Sequence, residues 1–278
     1  MDIASQEDKR GVLLDEVGVR EVKIPISVLD KERDDGKQYT IGTFNAFVEL
    51  PDKQRGTHMS RIVEIIYNNR YKINGKGLMD ATKELADRLN ATESRIQVTF
   101  PYFVTTESPK SKLKNSMVYQ ARFDMKYKLI NRTIRAMSSF EVPYVRPTPT
   151  WEFKLGVDVD VMTVCPCALE ECENGNSHVQ RGVVKIDVEP VPDQMVWLED
   201  LITIAERSGS TPVYERLKRK DEAYLVKQGF KNPQFVEDVV RDAAILLAEL
   251  PINGYMVSCE NFESIHQHNA YARKVYQW

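Results

Sequence analysis

The sequence predicts an α+β fold built twice over, each half an antiparallel sheet with helices on one face. Three observations carry this. Runs of apolar residues alternating with polar ones recur along the chain. Helical spacing interrupts those runs once in each half. The order β-β-α-α-β-β is the same on both sides of a stretch ending in Pro143, Pro147 and Pro149. Period two marks strands and period 3.6 marks helices. Clean alternation favours antiparallel sheets with one covered face.

Each element follows from its own spacing. Val22, Ile24, Ile26 and Val28 make the first strand, and Phe44, Ala46 and Val48 the second, within 40–50. Ile62, Ile65 and Ile66 then sit at i, i+3 and i+4, and Leu78, Ala81, Leu85 and Leu89 repeat that spacing. Ile96, Val98, Phe100 and Tyr102 return to period two, as does the long run from Met117 to Leu129. In the second half, apolar residues take every odd position from Trp151 to Val161. Val184, Ile186 and Val188 follow. Leu198, Leu201, Ile202 and Ala205 have helical spacing. A second helix is predicted with Asn232 as its cap and Pro233 in its first turn, carrying Val236, Val240, Ala243 and Leu247. Tyr255, Val257 and Cys259 give a last strand, continued near Tyr271. The predicted division is a frayed 1–12, a first domain over 13–145 and a second over 146–278 that carries the metal-ligand types.

Composition bounds the function. The 278 residues are 42% hydrophobic and 28% charged, ordinary for a soluble globular protein. Thirty-eight basic against 41 acidic residues leave a net charge of -3, which argues against nucleic-acid binding driven by bulk charge. No apolar run approaches the roughly 20 residues of a membrane span. The start of the chain has no apolar signal segment, so a cytoplasmic protein is expected. Four cysteines there read as ligands, nucleophiles or buried thiols before disulfides.

The four histidines, His58, His178, His266 and His268, all fall at element ends or in loops. One such histidine alone is ordinarily a surface or capping group. The densest cluster is Cys165-Pro-Cys167-Ala-Leu-Glu-Glu-Cys172 with His178 thirteen residues after Cys165. The parity of the odd-position strand puts Cys165 on its inward side. A thiolate, an imidazole and a carboxylate from elsewhere would make a three-ligand site with a place for water. Buried thiols, or a closed zinc knuckle of Cys165, Cys167, Cys172 and His178, are the plainer alternatives. Further on, Glu260-Asn-Phe-Glu-Ser-Ile-His266-Gln-His268 would put both imidazoles on one face if it is a strand. Gly56-Thr-His58-Met-Ser-Arg61 could hold an anion at a helix start, where Thr57 or Ser60 would ordinarily serve as a cap. Lys218-Arg219-Lys220-Asp221-Glu222 could face a polyphosphate or be a solvated charged loop.

Taken together, these strings resemble the GTP cyclohydrolase type IB family. The resemblance runs from Val17-Gly18-Val19 and Pro25-Ile26 through Gly56–Arg61, Phe100-Pro-Tyr-Phe103 and Cys165-Pro-Cys167. It continues in Lys218-Arg219 with Asp221-Glu222, Asn232-Pro-Gln-Phe-Val-Glu237-Asp238 and Glu260–His266. It implies two tandem tunnelling-fold domains, their sheets closing into barrels in a homo-oligomer, a dimer or tetramer. It implies GTP as substrate, with formate and 7,8-dihydroneopterin triphosphate as products in folate synthesis. It implies one divalent metal per site, zinc, manganese or iron(II), held by Cys165, His178 and Glu222 with His266 close by. Acid–base work would fall to His266 or His268, the guanine edge to Glu237, and the phosphates to Arg61, Lys218 and Arg219, with His58 nearby. The chain departs from the bacterial pattern after Cys167, where Ala-Leu replaces Ser-Lys, and around His178, where Asn-Ser-His-Val replaces Gly-Ala-His-Asn. Its loop is one residue longer and carries Cys172. An archaeal-type enzyme ending at a cyclic phosphate, and a purine- or RNA-binding protein with structural zinc, are the alternative readings.

Overall fold

The structure is a computed structural model, and it describes residues 4, 6–134, 144–169 and 178–278. Cys172 and Pro143 lie outside the described residues. The chain forms two compact units. The first takes residues 1–100 with 123–153, and the second takes 101–122 with 154–278. This division differs from a single cut near 145, because residues 101–122 cluster with the second half.

In the first unit, β1 (Leu14–Leu29) pairs antiparallel with β2 (Lys37–Leu50), and β2 with β3 (Glu93–Glu107). The outer part of β4 (Lys114–Ile134) lies beside β3, and the start of β5 (Tyr144–Val164) beside β4. α1 (Met59–Asn69) and α2 (Gly75–Leu89) cover the apolar face. Ile62, Ile65, Ile66, Leu78 and Leu85 are buried, as are Phe44, Ile96 and Val98 on the sheet. Each such side chain contributes about 1.5–3 kcal/mol on burial. α2 begins where Asn74 accepts from Gly77 N–H, and it ends at Asn90 in the left-handed region. α1 starts at His58 rather than at Thr57 or Ser60, and no side chain caps it. The first residues are not wholly frayed. Asp8 N–H donates to Lys53 O, and Arg55 N–H to Gln6 O.

In the second unit, β5 pairs antiparallel with β6 (Val179–Pro190), β6 with β8 (Ile252–Asn261), and β8 with β9 (Ala270–Tyr276). The two-residue β7 (Thr211–Pro212) adds to β5. α3 (Leu198–Ser208) and α5 (Val236–Leu247) bury Leu201, Ile202, Ala205, Val239, Ala243 and Leu247. Residues 101–122 bring polar anchors to this unit. Tyr119 OH donates to Glu206, and Arg122 pairs with Asp158 and Asp187.

Two expectations are corrected here. Among the described residues the second half has three α-helices where two were expected, because α4 (Arg219–Lys231) occupies the charged stretch read as a loop. Its inward positions are Asp221, Leu225 and Gly229, so no apolar stripe announces it. Asn232 and Pro233 do not start the last helix. Asn232 ends α4, with its side-chain amide donating to Gly209 O and Ser210 O. α5 starts at Val236, where the Asp238 carboxylate accepts from Phe235 N–H.

Candidate active site

Three strand ends of the second unit meet at the chemistry-bearing cluster. β5 and β6 stay in register to Val164 and Val179, and Cys165 N–H then donates to His178 O at 3.0 Å. A 3-10 turn over Pro166–Leu169 carries the chain away, with Ala168 N–H donating to Cys165 O. His178 stands at φ 56°, a left-handed backbone unusual for a side chain other than Gly or Asn. Beyond β8, Phe262 N–H donates to Arg181 O, so the next residue, Glu263, lies beside β6.

The side chains follow from that ladder. Gln180 Nε2 donates to Glu263 Oε1 at 3.3 Å, and Glu263 Oε2 lies 3.6 Å from His178 Nδ1. The His178 and His266 rings are 5.7 Å apart, and His266 stacks on His268 at 5.0 Å with 11° between planes. The segment between β8 and β9 is a series of bends and not the strand that would have aligned those two rings. Their shared side comes from stacking instead. Burial pushes the Cys165 thiol above its ordinary value. The Cys167 thiol and the Glu263 charge push the same way, against a backbone hydrogen bond from Cys167. Thr163 Oγ1, Gln180 Oε1 and Glu263 Oε2 are all buried with no hydrogen-bond partner among the described residues. Thr163 and Gln180 are register partners, so their side chains leave the sheet on one face.

The other expected residues lie elsewhere. Glu237 is exposed in the first turn of α5. Its lead-in reaches the cluster's edge, since Gln234 N–H donates to Val164 O at 2.8 Å. Lys218, Arg219 and Glu222 are exposed at the start of α4. The far end of that helix packs on β5, with Gly229 against Met162 and Val164. Seven residues of helix separate Glu222 from Gly229, about 10 Å along the axis. The structure therefore gathers Cys165, His178, His266 and His268 but does not bring Glu222 to them. His58 and Arg61 belong to the first unit, at the start of α1.

Residues 1–272 match the family described as type I GTP cyclohydrolase folE2. The chain belongs to that family. It is 38% identical over 272 residues to GTP cyclohydrolase FolE2 of Syntrophotalea carbinolica, covering 98% of this chain and 93% of the relative. It is 37% identical to GTP cyclohydrolase FolE2 of Pseudothermotoga lettingae, covering 98% and 96%. Among solved structures, a uricase from Bacillus fastidious superposes with a TM-score of 0.54 at 7% identity, over 95% of this chain and 93% of that one. That likeness concerns the fold alone.

For a family member, the donor set suits a divalent ion: one thiol, two imidazoles and a buried carboxylate oxygen without a partner. The set is open as it stands, since no group of three or more His, Cys, Asp or Glu among the described residues is disposed to hold an ion. Glu263 is the residue that sequence reading passed over. Its signal was its place three residues before His266. Its contact with Gln180, 83 residues away, could not be read from spacing.

Proposed function

We propose that the chain is a metal-dependent GTP cyclohydrolase of the type IB group, converting GTP and water to formate and 7,8-dihydroneopterin triphosphate at the first step of folate synthesis. One observation carries the reading: Cys165, His178, Glu263, His266 and His268 gather at adjoining strand ends in a chain matching this family along its length. The reaction hydrolyses guanine twice at C8, a poor electrophile. A bound zinc, manganese or iron(II) would supply hydroxide near neutral pH by lowering the pKa of its water from about 15.7 to about 7. Cys165, His178 and His266 are the residues to hold it, since Glu222 lies apart from them at the start of α4.

The chain's own groups do the rest. His266 or His268 delivers a proton to the imidazole nitrogen as the ring opens. Glu263, held by Gln180, is placed to accept from His178 Nδ1–H and so fix that ring's tautomer. Glu237 accepts two N–H groups of the guanine edge in a charge-assisted pairing. Lys218 and Arg219 take the triphosphate, with Arg61 and His58 as further candidates. Two tandem tunnelling-fold domains closing into barrels within a homo-oligomer, a dimer or tetramer, complete the proposal. The support is that β1 and β9 end the strand order among the described residues, with only Ser27 and Val28 of β1 met by the chain at Arg70 and Ile73.

The test is formate release from GTP by metal-stripped protein, then with each ion returned. Full activity without metal ends the metal assignment. No formate under any condition ends the enzymatic one. Recovery of a cyclic phosphate in place of the triphosphate selects the archaeal-type product.

A further inference from the structure

Asp221 is fully buried, yet its carboxylate meets no cation. It accepts four hydrogen bonds: from Lys110 N–H at 2.8 Å, Ser111 N–H at 2.7 Å, the Ser111 hydroxyl at 2.5 Å and Lys218 N–H at 2.9 Å. Three of these come from the loop between β3 and β4, more than 100 residues earlier. The loop is closed at its own base, with Ser108 N–H donating to Leu113 O and Lys112 N–H to Ser108 O. The Ser108 hydroxyl adds a bond to Arg216 O at 2.7 Å. Lys112 sits at its tip with φ 54°, a conformation that needs such external support. One carboxylate thus fastens a rigid loop to the start of α4.

Cations outnumber carboxylates among the exposed side chains of both segments. Lys110, Lys112 and Lys114 are exposed on the loop. Arg216, Lys218, Arg219 and Lys220 are exposed at the approach to α4. Seven cations against Glu107, Glu215, Asp221 and Glu222 leave +3 here, on a chain whose net charge is -3. None of the seven forms an ion pair among the described residues. Cations without ion pairs, carried on two segments whose backbones are tied together, suit an anion carrying several charges.

We propose that the loop 108–114 is half of a polyphosphate-binding surface, and that Asp221 is the positioning residue that joins it to the half carried by α4. The proposal rests on the GTP reading and extends it to residues that reading did not include. Prior fixing of the loop removes an ordering cost from binding.

The test uses full-length protein and inorganic tripolyphosphate as probe, by calorimetry and as a competitor of GTP in formate release. The Lys110→Ala/Lys112→Ala variant alters only exposed side chains. Its tripolyphosphate affinity is expected to fall at least about tenfold, and its loss with GTP to fall on KM rather than kcat. Asp221→Asn is expected to lose affinity as much. Because it disturbs a buried group, Ser111→Ala is measured beside it, deleting one donor, with an expected loss of about two- to fivefold. Unchanged tripolyphosphate affinity in the double lysine variant, or none in the parent protein, overturns the proposal. Calorimetry gives that answer even if no formate is released, so the two readings fail separately.

Discussion

Cys259 and Cys165 differ in what their surroundings allow. Cys259 is fully buried on β8, and burial, with some help from Glu260, pushes its thiol up to about 12. At pH 8 its thiolate fraction is about 10⁻⁴, so it is expected to resist alkylation until the protein unfolds. Cys167 is exposed and should be labelled first. Peptide mass spectrometry after iodoacetamide treatment checks the order, and early labelling of Cys259 would contradict it. Cys165→Ala is expected to abolish formate release and lower bound metal, whereas Cys172→Ala should do neither. Elemental analysis decides between ligand and bystander. With Glu237 on the guanine edge, as proposed, Glu237→Gln would turn one acceptor oxygen into a donor facing the guanine N–H groups. The expected cost is about 2–3 kcal/mol of GTP binding, with metal content unchanged. At this scale motif spacing singled out Cys165 and His178, whose backbones the structure places side by side. It was silent where the partner is remote, as for Glu263 with Gln180 and Asp221 with Ser111.

Among the elements, β1 to β6, β8 and the helices α1, α2, α3 and α5 were legible because each buries an apolar face, whereas the two-residue β7 and the largely exposed β9 bury none. α4 was not, since a carboxylate and a glycine occupy two of its three inward positions. The contact of α3 with β5 makes a sharper prediction. Gly209 follows α3, and a Cβ there would meet Val161 Cβ at 2.7 Å. Val161 is β-branched and fully buried, so it cannot swing aside. Gly209→Ala is expected to cost about 1–3 kcal/mol, read as a lower urea midpoint with an unchanged slope. Glu206, on the same helix, titrates upward: burial raises its carboxyl, and the bond from Tyr119 OH only partly opposes this. A raised carboxyl favours the protonated form in the fold. Stability from this group is therefore lost as pH rises from the ordinary 4.5 through the folded value. Glu206→Gln keeps an acceptor for Tyr119 and should flatten that slope. Urea midpoints at pH 5 and pH 8 for both proteins provide the check.

At the scale of the whole chain, β1 and β9 bound the strand order, and neither has a second neighbour in it among the described residues. Exposed edges of this length invite pairing with another chain. A homo-oligomer is expected by light scattering, and a fully active monomer would refute it. The α+β class, with its antiparallel sheet, was visible in the order of apolar periods. The interleaving was not, because periodicity names elements and says nothing of which unit they join. Residues 101–122 cluster with 154–278 although they precede the last segment of the first unit.

That interleaving matters while the chain is being made. The 101–122 hairpin leaves the ribosome before any of the 154–278 residues it must pack against. At about 5–20 residues per second, it waits roughly 8–31 s for the last of them. During that time Met117, Tyr119 and Ala121, all buried in the finished protein, have nothing to cover them. The second unit cannot complete itself in step with synthesis. A nascent chain paused near residue 150 would present that hairpin to whatever chaperone or neighbouring chain is at hand.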